Sequence, residues 1–349
     1  MTLCQLQSRY FIFHASASSV CDYVVIYVDD IVITGNDSEE LQKFILKLNQ
    51  VFSLKDLGPL NFFLGIEVCR DATGLYLSQS KYISKLLQRT IMMYVKPCPA
   101  PMVAGIPLSI HDGETLNTPT TYRSIIGALQ YLSHTRPDIS FAVNKLSQFL
   151  KSPTTKHWNA AKRILRYLKG TMYHGLHIAP SNRLVLTGFS DADWGCCPDD
   201  RKSIAGYCVF LGESLISWSS QKQSVVARSS TESEYRALAQ LAAELSWLLE
   251  LLKEMHIQIP TTPIIWCDNI SASALAANPV YHARTKHIEL DVHFVRDKVL
   301  QKQLDIRYIP SHDQIAGCLT KGLSPSRFQF LVDKLQVMES PCSLRGGVK

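Results

Sequence analysis

The chain has 349 residues, of which 46% are apolar and 19% are charged, and its formal net charge is +6. This length suffices for two or three domains with cores of their own, and the composition excludes a disordered or fibrous chain. No run approaches the apolar length of a membrane span or of a signal peptide. We therefore expect no membrane association, a cytoplasmic or nuclear rather than a secreted protein, and reduced thiols at its ten scattered cysteines.

Residues 1–95 have the pattern of strands around one helix. Two β-branched runs meet at Asp29 and Asp30, which is a hairpin pattern with acids at its turn. Apolar residues at helical spacing predict a helix over 38–52. A second hairpin is predicted around 71–74.

The middle of the chain is predicted to be helical and basic. A proline-rich segment at 96–107 should be extended and mark a boundary, and helices are predicted over 122–150, with an interruption at 136–138, and over 154–169. Four basic residues share one side of the latter helix: Lys162, Arg163, Arg166 and Lys169. A solvated helix side would explain them, but no acid lies between 151 and 173, which favours contact with nucleic-acid phosphates and salt-dependent binding.

Residues 181–323 combine a strand meander with alternating helices and strands. The predicted order is strands at 184–190, 205–211 and 214–219, a helix at about 231–256, a strand at 263–267, helices at 269–277 and 284–302, a strand at 304–309 and a last helix at 313–322. This order predicts an α/β (mixed α+β) domain whose mixed five-stranded sheet is flanked by helices. The tail, 324–349, is expected to be loosely ordered apart from one short helix.

Three carboxylates stand at the ends of elements in this region. Asp191 follows a strand, Glu234 opens the long helix, and Asp268 follows another strand. Acids brought close together cannot all stay ionised unless a cation neutralises them, and Mg²⁺ prefers oxygen ligands. Acidic strand ends that share a crevice are also where ligands bind in such sheets. The pattern indicates a site for Mg²⁺ (or Mn²⁺).

Each of these acids also has an ordinary structural explanation. Glu234 stands three residues after Thr231, which is the spacing of a capping box. Asp268 would fit the N-cap of the helix that follows it. Asp193 shares a strand face with Asp191. It would be either an acid that supports the metal ligands or a solvated turn residue, and the solvated turn residue is expected. The order of the three acids along the chain favours ligands over caps.

Six motifs occur in order along the chain: YVDDIVITGND at 27–37, TRPDISFAVNKLSQFL at 135–150, SDADWG at 190–195, STESEY at 230–235, CDN at 267–269 and RTKHIELDVHFVRDK at 284–298. Together they resemble the C-terminal part of the Pol polyprotein of copia-type LTR retrotransposons, over about residues 23–323. The resemblance implies the end of a reverse transcriptase followed by a ribonuclease H domain. Its regions would be a truncated palm remnant (1–95), a helical thumb and connection region (96–180), an RNase H-like domain (181–323) and a tail (324–349).

The resemblance also assigns roles to residues. Asp191, Glu234 and Asp268 would be catalytic metal ligands, because family members cut the RNA strand of an RNA–DNA hybrid by a two-metal mechanism. His312 would be a catalytic proton-transfer group, because ribonuclease H enzymes often carry a histidine in that loop. The expected partner is an RNA–DNA hybrid or another nucleic acid, bound through its backbone and 2′-hydroxyl groups.

The chain departs from the family in its polymerase site. That site needs a further aspartate from another strand, whereas Asp22 lies on the same strand as Asp29, at roughly 23 Å by strand rise. We therefore expect no DNA synthesis, with Asp29 and Asp30 as a remnant of the polymerase site. An exposed core in the truncated palm would favour a partner chain that covers it.

A second departure lies in the segment AGCLTK at 316–321, where the family commonly has A-D-x-x-T-K. Gly317 therefore replaces the fourth carboxylate of the ribonuclease H site. Asp313 would compensate if one continuous helix placed both residues on the same side. Two functions stay open: a hybrid-specific ribonuclease H, and a catalytically silent nucleic-acid-binding relic.

Overall fold

The computed structural model describes residues 4–5, 11–17, 20–52, 54–277 and 288–341. The chain forms two compact units, one of residues 1–63 with 250–258 and one of residues 64–249 with 259–349. The predicted divisions after residues 95 and 180 both fall inside the second unit, so those domain boundaries stay predictions. Within the described ranges, no helix is both long and apolar enough to cross a membrane.

The strands of the described chain are β1 Cys4–Gln5, β2 Phe11–Ala17, β3 Val20–Tyr27, β4 Asp30–Gly35, β5 Phe62–Phe63, β6 Ile66–Asp71, β7 Gly74–Ser78, β8 His174–Ile178, β9 Leu186–Asp193, β10 Ile204–Leu211, β11 Ser214–Lys222, β12 Ile264–Cys267, β13 Asp305–Tyr308 and β14 Val337–Glu339. The helices are α1 Ser38–Val51, α2 Ser80–Arg89, α3 Pro119–Leu132, α4 Ser140–Ser147, α5 Thr155–Gly170, α6 Ser230–Glu254, α7 Ile270–Ala277, α8 Glu289–Leu300 and α9 Pro325–Lys334. Short 3-10 helices span Pro137–Ile139 and Ile315–Leu319.

The first unit holds an antiparallel sheet of β1 to β4 and the helix α1. β3 and β4 form the predicted hairpin, with Tyr27 paired to Asp30 across its turn. α1 begins after Asp37, whose side chain accepts the backbone N–H groups of the helix's first turn. No residue of α1 is fully buried, so its apolar stripe is only partly covered. The partner chain expected over this region stays a prediction.

A second sheet lies in the second unit, with its strands in the order β14-β8-β7-β6. β6 and β7 form the predicted hairpin, in which Asp71 pairs with Gly74. β8 comes from the middle of the chain, and β14 comes from the tail and pairs with β8. The short helix expected in the tail is α9, which buries Phe328, Leu331 and Val332 in the core. The expectation of loose order outside that helix is wrong for β14, because this strand is paired in the sheet.

Helices α3, α4 and α5 pack together where helices were predicted. The predicted interruption at 136–138 is a 3-10 helix. A fully buried ion pair stabilises it, in which Nη2 of Arg136 lies 2.7 Å from Oδ2 of Asp138. The Tyr167 hydroxyl donates a hydrogen bond to Asp138 at 2.6 Å. Burying such a pair is tolerated because Arg136 also donates to the Thr171 carbonyl, so its donors are satisfied.

The third sheet is the predicted mixed five-stranded sheet, in the order β11-β10-β9-β12-β13. β9, β10 and β11 run antiparallel, whereas β12 runs parallel to both β9 and β13. α6 lies so close to β9 that a Cβ at Gly188 would come within 2.8 Å of Leu241. A larger residue at this position would therefore force the side chain of Leu241 to shift.

Some element bounds differ from the predictions. β9 continues to Asp193 because its pairing with β10 extends to Ile204. The predicted last helix is only a five-residue 3-10 helix. α8 begins at Glu289, and residues 278–287, where its start was expected, lie outside the described residues.

The cysteines depart from expectation at one described position, because Cys69 in β6 is disulfide-bonded. The other cysteines whose thiols are described are free: Cys98, Cys196, Cys197, Cys208, Cys267 and Cys318. Most of these are buried, as expected for thiols that pack as small apolar groups.

Candidate metal centre

The C-terminal ends of β9 and β12 lie side by side and carry two of the predicted carboxylates. The strands are parallel, and Ser190 pairs in register with Cys267. The next residue on each strand is an acid, so Asp191 and Asp268 lie at the same edge of the sheet. Asp191 is buried and Asp268 is half-buried.

The third carboxylate reaches this edge from α6. Glu234 is 7% exposed, and its carboxylate accepts a hydrogen bond from the backbone N–H of Ala192. Its Oε2 atom is buried without a hydrogen-bond partner in the described structure. The ligand atoms of Glu234, Asp268 and Cys267 all lie within 4.8 Å of one another. Glu234 and Asp268 therefore meet in one place. Asp191 is not among the residues within this distance, but its charge acts on both of them.

Helix capping does not account for these acids, because other residues perform it. The Ser229 hydroxyl accepts the Glu232 N–H at 3.1 Å at the start of α6, and the Glu232 carboxylate accepts the backbone N–H just before Ser229. Asn269 caps α7 by accepting an N–H of its first turn at 2.9 Å. Glu234 and Asp268 are thus not the caps of the helices that they adjoin.

Burial and mutual repulsion hold protons on this cluster. Burial, followed by the charges of Asp191 and Asp268, raises the pKa of Glu234 to about 9. Burial likewise raises the pKa of Asp268, although a hydrogen bond from the Ser311 side chain opposes this. Burial raises the pKa of the Cys267 thiol to about 12. Without a cation, the cluster is therefore neutralised in part by protons.

The residues of the cluster fit a divalent cation. They supply carboxylate oxygens, the ligands that Mg²⁺ and Mn²⁺ prefer. The Oε2 atom of Glu234 needs a partner that the described protein does not provide, and a buried polar atom without one is costly. Cys267 adds a softer donor within reach of the same ion.

Asp191 also has two partners from the segment after β13. The Thr320 hydroxyl donates to its Oδ2 atom, and the Nζ atom of Lys321 lies 3.3 Å from that oxygen. Burial acts to lower the pKa of Lys321, but Asp191 outweighs this effect, and the pKa is raised. Asp193 is half-buried, with a pKa raised by burial and opposed by Lys321. The expectation that Asp193 is a solvated turn residue is therefore wrong.

Gln314 joins the two strands that carry the aspartates. It is 2% exposed, and its side-chain amide donates to the Ser190 carbonyl at 2.9 Å and to the Trp266 carbonyl at 3.4 Å. Each of these carbonyls lies one or two residues before a site aspartate. Gln314 therefore fixes the spacing of the two strand ends.

Asp313 and His312 lie outside the cluster of hydrogen-bonded residues around Asp191. The backbone at Gln314 is extended and the 3-10 helix begins only after it, so no continuous helix aligns Asp313 with Gly317. The structure therefore does not support the hypothesis that Asp313 compensates for the carboxylate missing at Gly317. His312 contacts Asp313 at 3.0 Å, and both are largely exposed. His312 adjoins Ser311, the partner of Asp268, and its proton-transfer role stays a prediction.

The predicted polymerase remnant lies in the first unit. Asp29 and Asp30 are exposed at the turn between β3 and β4, as expected for acids at a hairpin turn. Their role as a remnant of a polymerase site stays a prediction.

Two of the four basic residues predicted to share one side of α5 donate hydrogen bonds to the proline-rich segment. Arg163 donates to the Ala100 carbonyl at 3.0 Å, and Arg166 donates to the Lys96 carbonyl at 2.8 Å. The Nζ atom of Lys162 lies 5.5 Å from the centre of the Trp158 ring, and that of Lys169 lies 3.9 Å from the Met93 sulfur. The segment is thus packed against the helix, and phosphate contact by these residues stays a prediction.

Sequence reasoning missed four residues of the site: Cys267, Gln314, Thr320 and Lys321. The Thr-Lys pair stands in the motif at 316–321 and was the signal for two of them. Cys267 lies within the CDN motif, but its packing among apolar residues masked it. For Gln314 the sequence offers no signal, since its role depends on two carbonyls far away in the chain.

Comparisons with known proteins give the following matches. Residues 10–104 match the family described as Reverse transcriptase (RNA-dependent DNA polymerase). The chain is 49% identical to the Retrovirus-related Pol polyprotein from transposon RE2 of Arabidopsis thaliana, over 93% of this chain and 22% of that protein. It therefore spans about a fifth of that polyprotein's length.

Two further matches cover larger shares of the other protein's chain. The chain is 31% identical to the Putative transposon Ty5-1 protein YCL074W of Saccharomyces cerevisiae, over 69% of this chain and 80% of that protein. A solved structure of the foamy viral protease-reverse transcriptase in complex with RNA/DNA hybrid is similar, with a TM-score of 0.47 and 14% identity. That match covers 82% of this chain and 36% of the other.

Proposed function

Because the chain belongs to the family of retrovirus-related Pol polyproteins of transposons, we propose that it is a copia-type fragment whose third-sheet region is a metal-dependent ribonuclease H. Its reaction is the endonucleolytic hydrolysis of the RNA strand in RNA–DNA hybrids. One observation carries this proposal: Asp191, Glu234 and Asp268 meet at one sheet edge, with a buried carboxylate oxygen of Glu234 that lacks a partner.

The proposed roles follow from the contacts of each residue. Asp191, Glu234 and Asp268 hold Mg²⁺ or Mn²⁺, which when bound supplies Lewis-acid activation of water and of the leaving oxygen. Gln314 sets the spacing of the two aspartates through the strand carbonyls. His312 stands in an exposed loop beside Ser311 and is assigned to proton transfer.

The basic side of α5 is proposed to contact the nucleic-acid backbone. Arg163 and Arg166 each give their Nε–H to a carbonyl of the chain, and a guanidinium has five N–H donors. The remaining donors, with Lys162 and Lys169, are suited to phosphate oxygens. Binding through these groups weakens as the salt concentration rises, because the release of counterions from the nucleic acid is then less favourable.

A cleavage assay with a labelled RNA–DNA hybrid tests the proposal. We expect the purified chain with Mg²⁺ to cut the RNA strand, and Asp191→Asn to abolish the cutting. Asp305→Asn is the matched control, because Asp305 is a half-buried strand aspartate that forms an ion pair with Arg307. Equal cutting by the wild type and by Asp191→Asn would contradict the proposed site.

A separate observation favours the second candidate function, that of a catalytically silent nucleic-acid-binding relic. Gly317 offers no carboxylate, and the ammonium of Lys321 already contacts Asp191. In the same assay, this candidate predicts no cutting by the wild type, with retention of the hybrid at low salt.

A further inference from the structure

Lys321 enters the acidic cluster from the end of the 3-10 helix. Its Nζ atom lies 3.3 Å from one oxygen of Asp191 and 3.4 Å from the other, so it contacts both oxygens of the carboxylate. The carboxylates of Asp193 and Asp268 also attract this ammonium. Lys321 is therefore a cation fixed at the side of the cluster that Asp191 occupies.

Gly317 lies directly beside this ammonium-bearing side chain. A Cβ at Gly317 would have one heavy-atom neighbour outside its own helix within 4 Å, the Cε atom of Lys321 at 3.5 Å. A carboxylate at this position would thus have room and would face Lys321. The wild-type chain has the lysine there without that acid.

The net charge of the acidic cluster limits how many divalent cations it can bind. Asp191, Asp193, Glu234 and Asp268 with Lys321 carry three negative charges when all the acids are ionised. One divalent ion reduces this to a single negative charge, whereas a second would make the cluster positive. A second ion at Asp191 would also stand close to the ammonium, and like charges in a partly buried site repel strongly.

We propose that the Lys321 ammonium occupies the position of a second divalent ion, so that the centre binds one divalent cation. That cation is held on the side of Glu234 and Asp268, where the oxygen without a partner lies. The inference rests on the metal site of the proposed function and deepens it.

Counting bound Mn²⁺ tests this inference without an activity assay. The intact chain is titrated with Mn²⁺ at neutral pH, and free Mn²⁺ is measured by electron paramagnetic resonance. The variants are Lys321→Gln and the double variant Gly317→Asp with Lys321→Gln. Lys222→Gln is the matched control, because Lys222 forms a similar ion pair with Asp200, outside the cluster. Circular dichroism establishes that each variant is folded.

We expect one Mn²⁺ per wild-type chain, one in the control, and two in the double variant, with Lys321→Gln gaining a weaker second ion. Two ions in the wild type would overturn the inference and leave the proposed function standing. One ion in every variant would also overturn it, because Lys321 would then not exclude an ion. No Mn²⁺ binding by any protein would overturn the proposed metal centre together with the inference.

Discussion

At the scale of single residues, the proton on Glu234 links the site to stability. Its pKa is raised from 4.5 to about 9 by burial and by neighbouring acids, so the folded metal-free chain keeps a proton that the unfolded chain loses. This contribution to stability is complete below pH 4.5 and is lost as the pH rises through about 9.

We therefore expect the melting temperature of the metal-free protein to fall with pH across this window more steeply in the wild type than in Glu234→Gln. Thermal unfolding in a chelator, followed by circular dichroism, measures both slopes. Added Mg²⁺ should stabilise the wild type more at high pH, because ion binding requires the deprotonated carboxylate. Equal slopes for the two proteins would show that Glu234 does not titrate in this way.

Gln314 gives a second prediction at this scale. Gln314→Leu removes the amide that joins the Ser190 and Trp266 carbonyls, and leaving buried acceptors unpaired costs about 1–3 kcal/mol. We expect lower stability to urea together with weaker Mn²⁺ binding, because the two aspartates follow those carbonyls. Gln329→Leu on α9 is the control, since its amide bonds only the exposed Asp333. Unchanged Mn²⁺ affinity in Gln314→Leu would exclude a positioning role.

At the scale of elements, the start of α6 separates capping from metal binding. Ser229→Ala removes the hydroxyl that accepts the Glu232 N–H, which should cost about 1 kcal/mol and leave Mn²⁺ affinity unchanged. Urea unfolding and Mn²⁺ titration measure the two effects. Ser246→Ala, inside the same helix, should have a smaller effect, because its hydroxyl only donates back to Ala242. A loss of Mn²⁺ binding in Ser229→Ala would show that cap and site are coupled.

Elements with strong periodicity were predictable from sequence, and short elements fixed by distant contacts were not. The strands around Asp191 and Asp268 and the helix of Glu234 follow from apolar runs and from their ends, so the convergence of the three acids was predictable. A longer α-helix was predicted where the 3-10 helix after Gln314 lies. The sequence does not show that Gln314 donates hydrogen bonds to β9 and β12, which place it before the start of the helix. The motif at 316–321 contains Lys321, but the contact of this lysine with Asp191 depends on the fold and was not predicted.

At the scale of the whole molecule, the tail contributes to the core of the second unit. Phe328 is 4% exposed and packs edge-on against Tyr167 at 5.6 Å between ring centres. Phe328→Ala should therefore destabilise the protein by about 3–5 kcal/mol. Phe330→Ala, whose ring is 43% exposed on the same helix, should change stability by about 0.5 kcal/mol or less. Equal unfolding midpoints in urea would contradict the packing of α9.

The way in which distant segments share one sheet was beyond the reach of the sequence. In the second sheet, the predicted palm remnant supplies β6 and β7, the predicted connection supplies β8, and the tail supplies β14. Local patterns identify each strand but carry no information about partners so distant in the chain. The short β14 has no alternation long enough to be recognised, and only its pairing with β8 makes it a strand.

The position of β14 has a consequence for how the chain is made. β8 lies between β7 and β14, so on a ribosome its outer edge stays open until the chain has been extended through Glu339. At about 5–20 residues per second, that interval is roughly 8–30 s. During this time an unpaired strand edge is exposed to pairing with nascent copies of the same chain on neighbouring ribosomes. Slower translation of the last hundred residues should therefore lower the yield of folded protein.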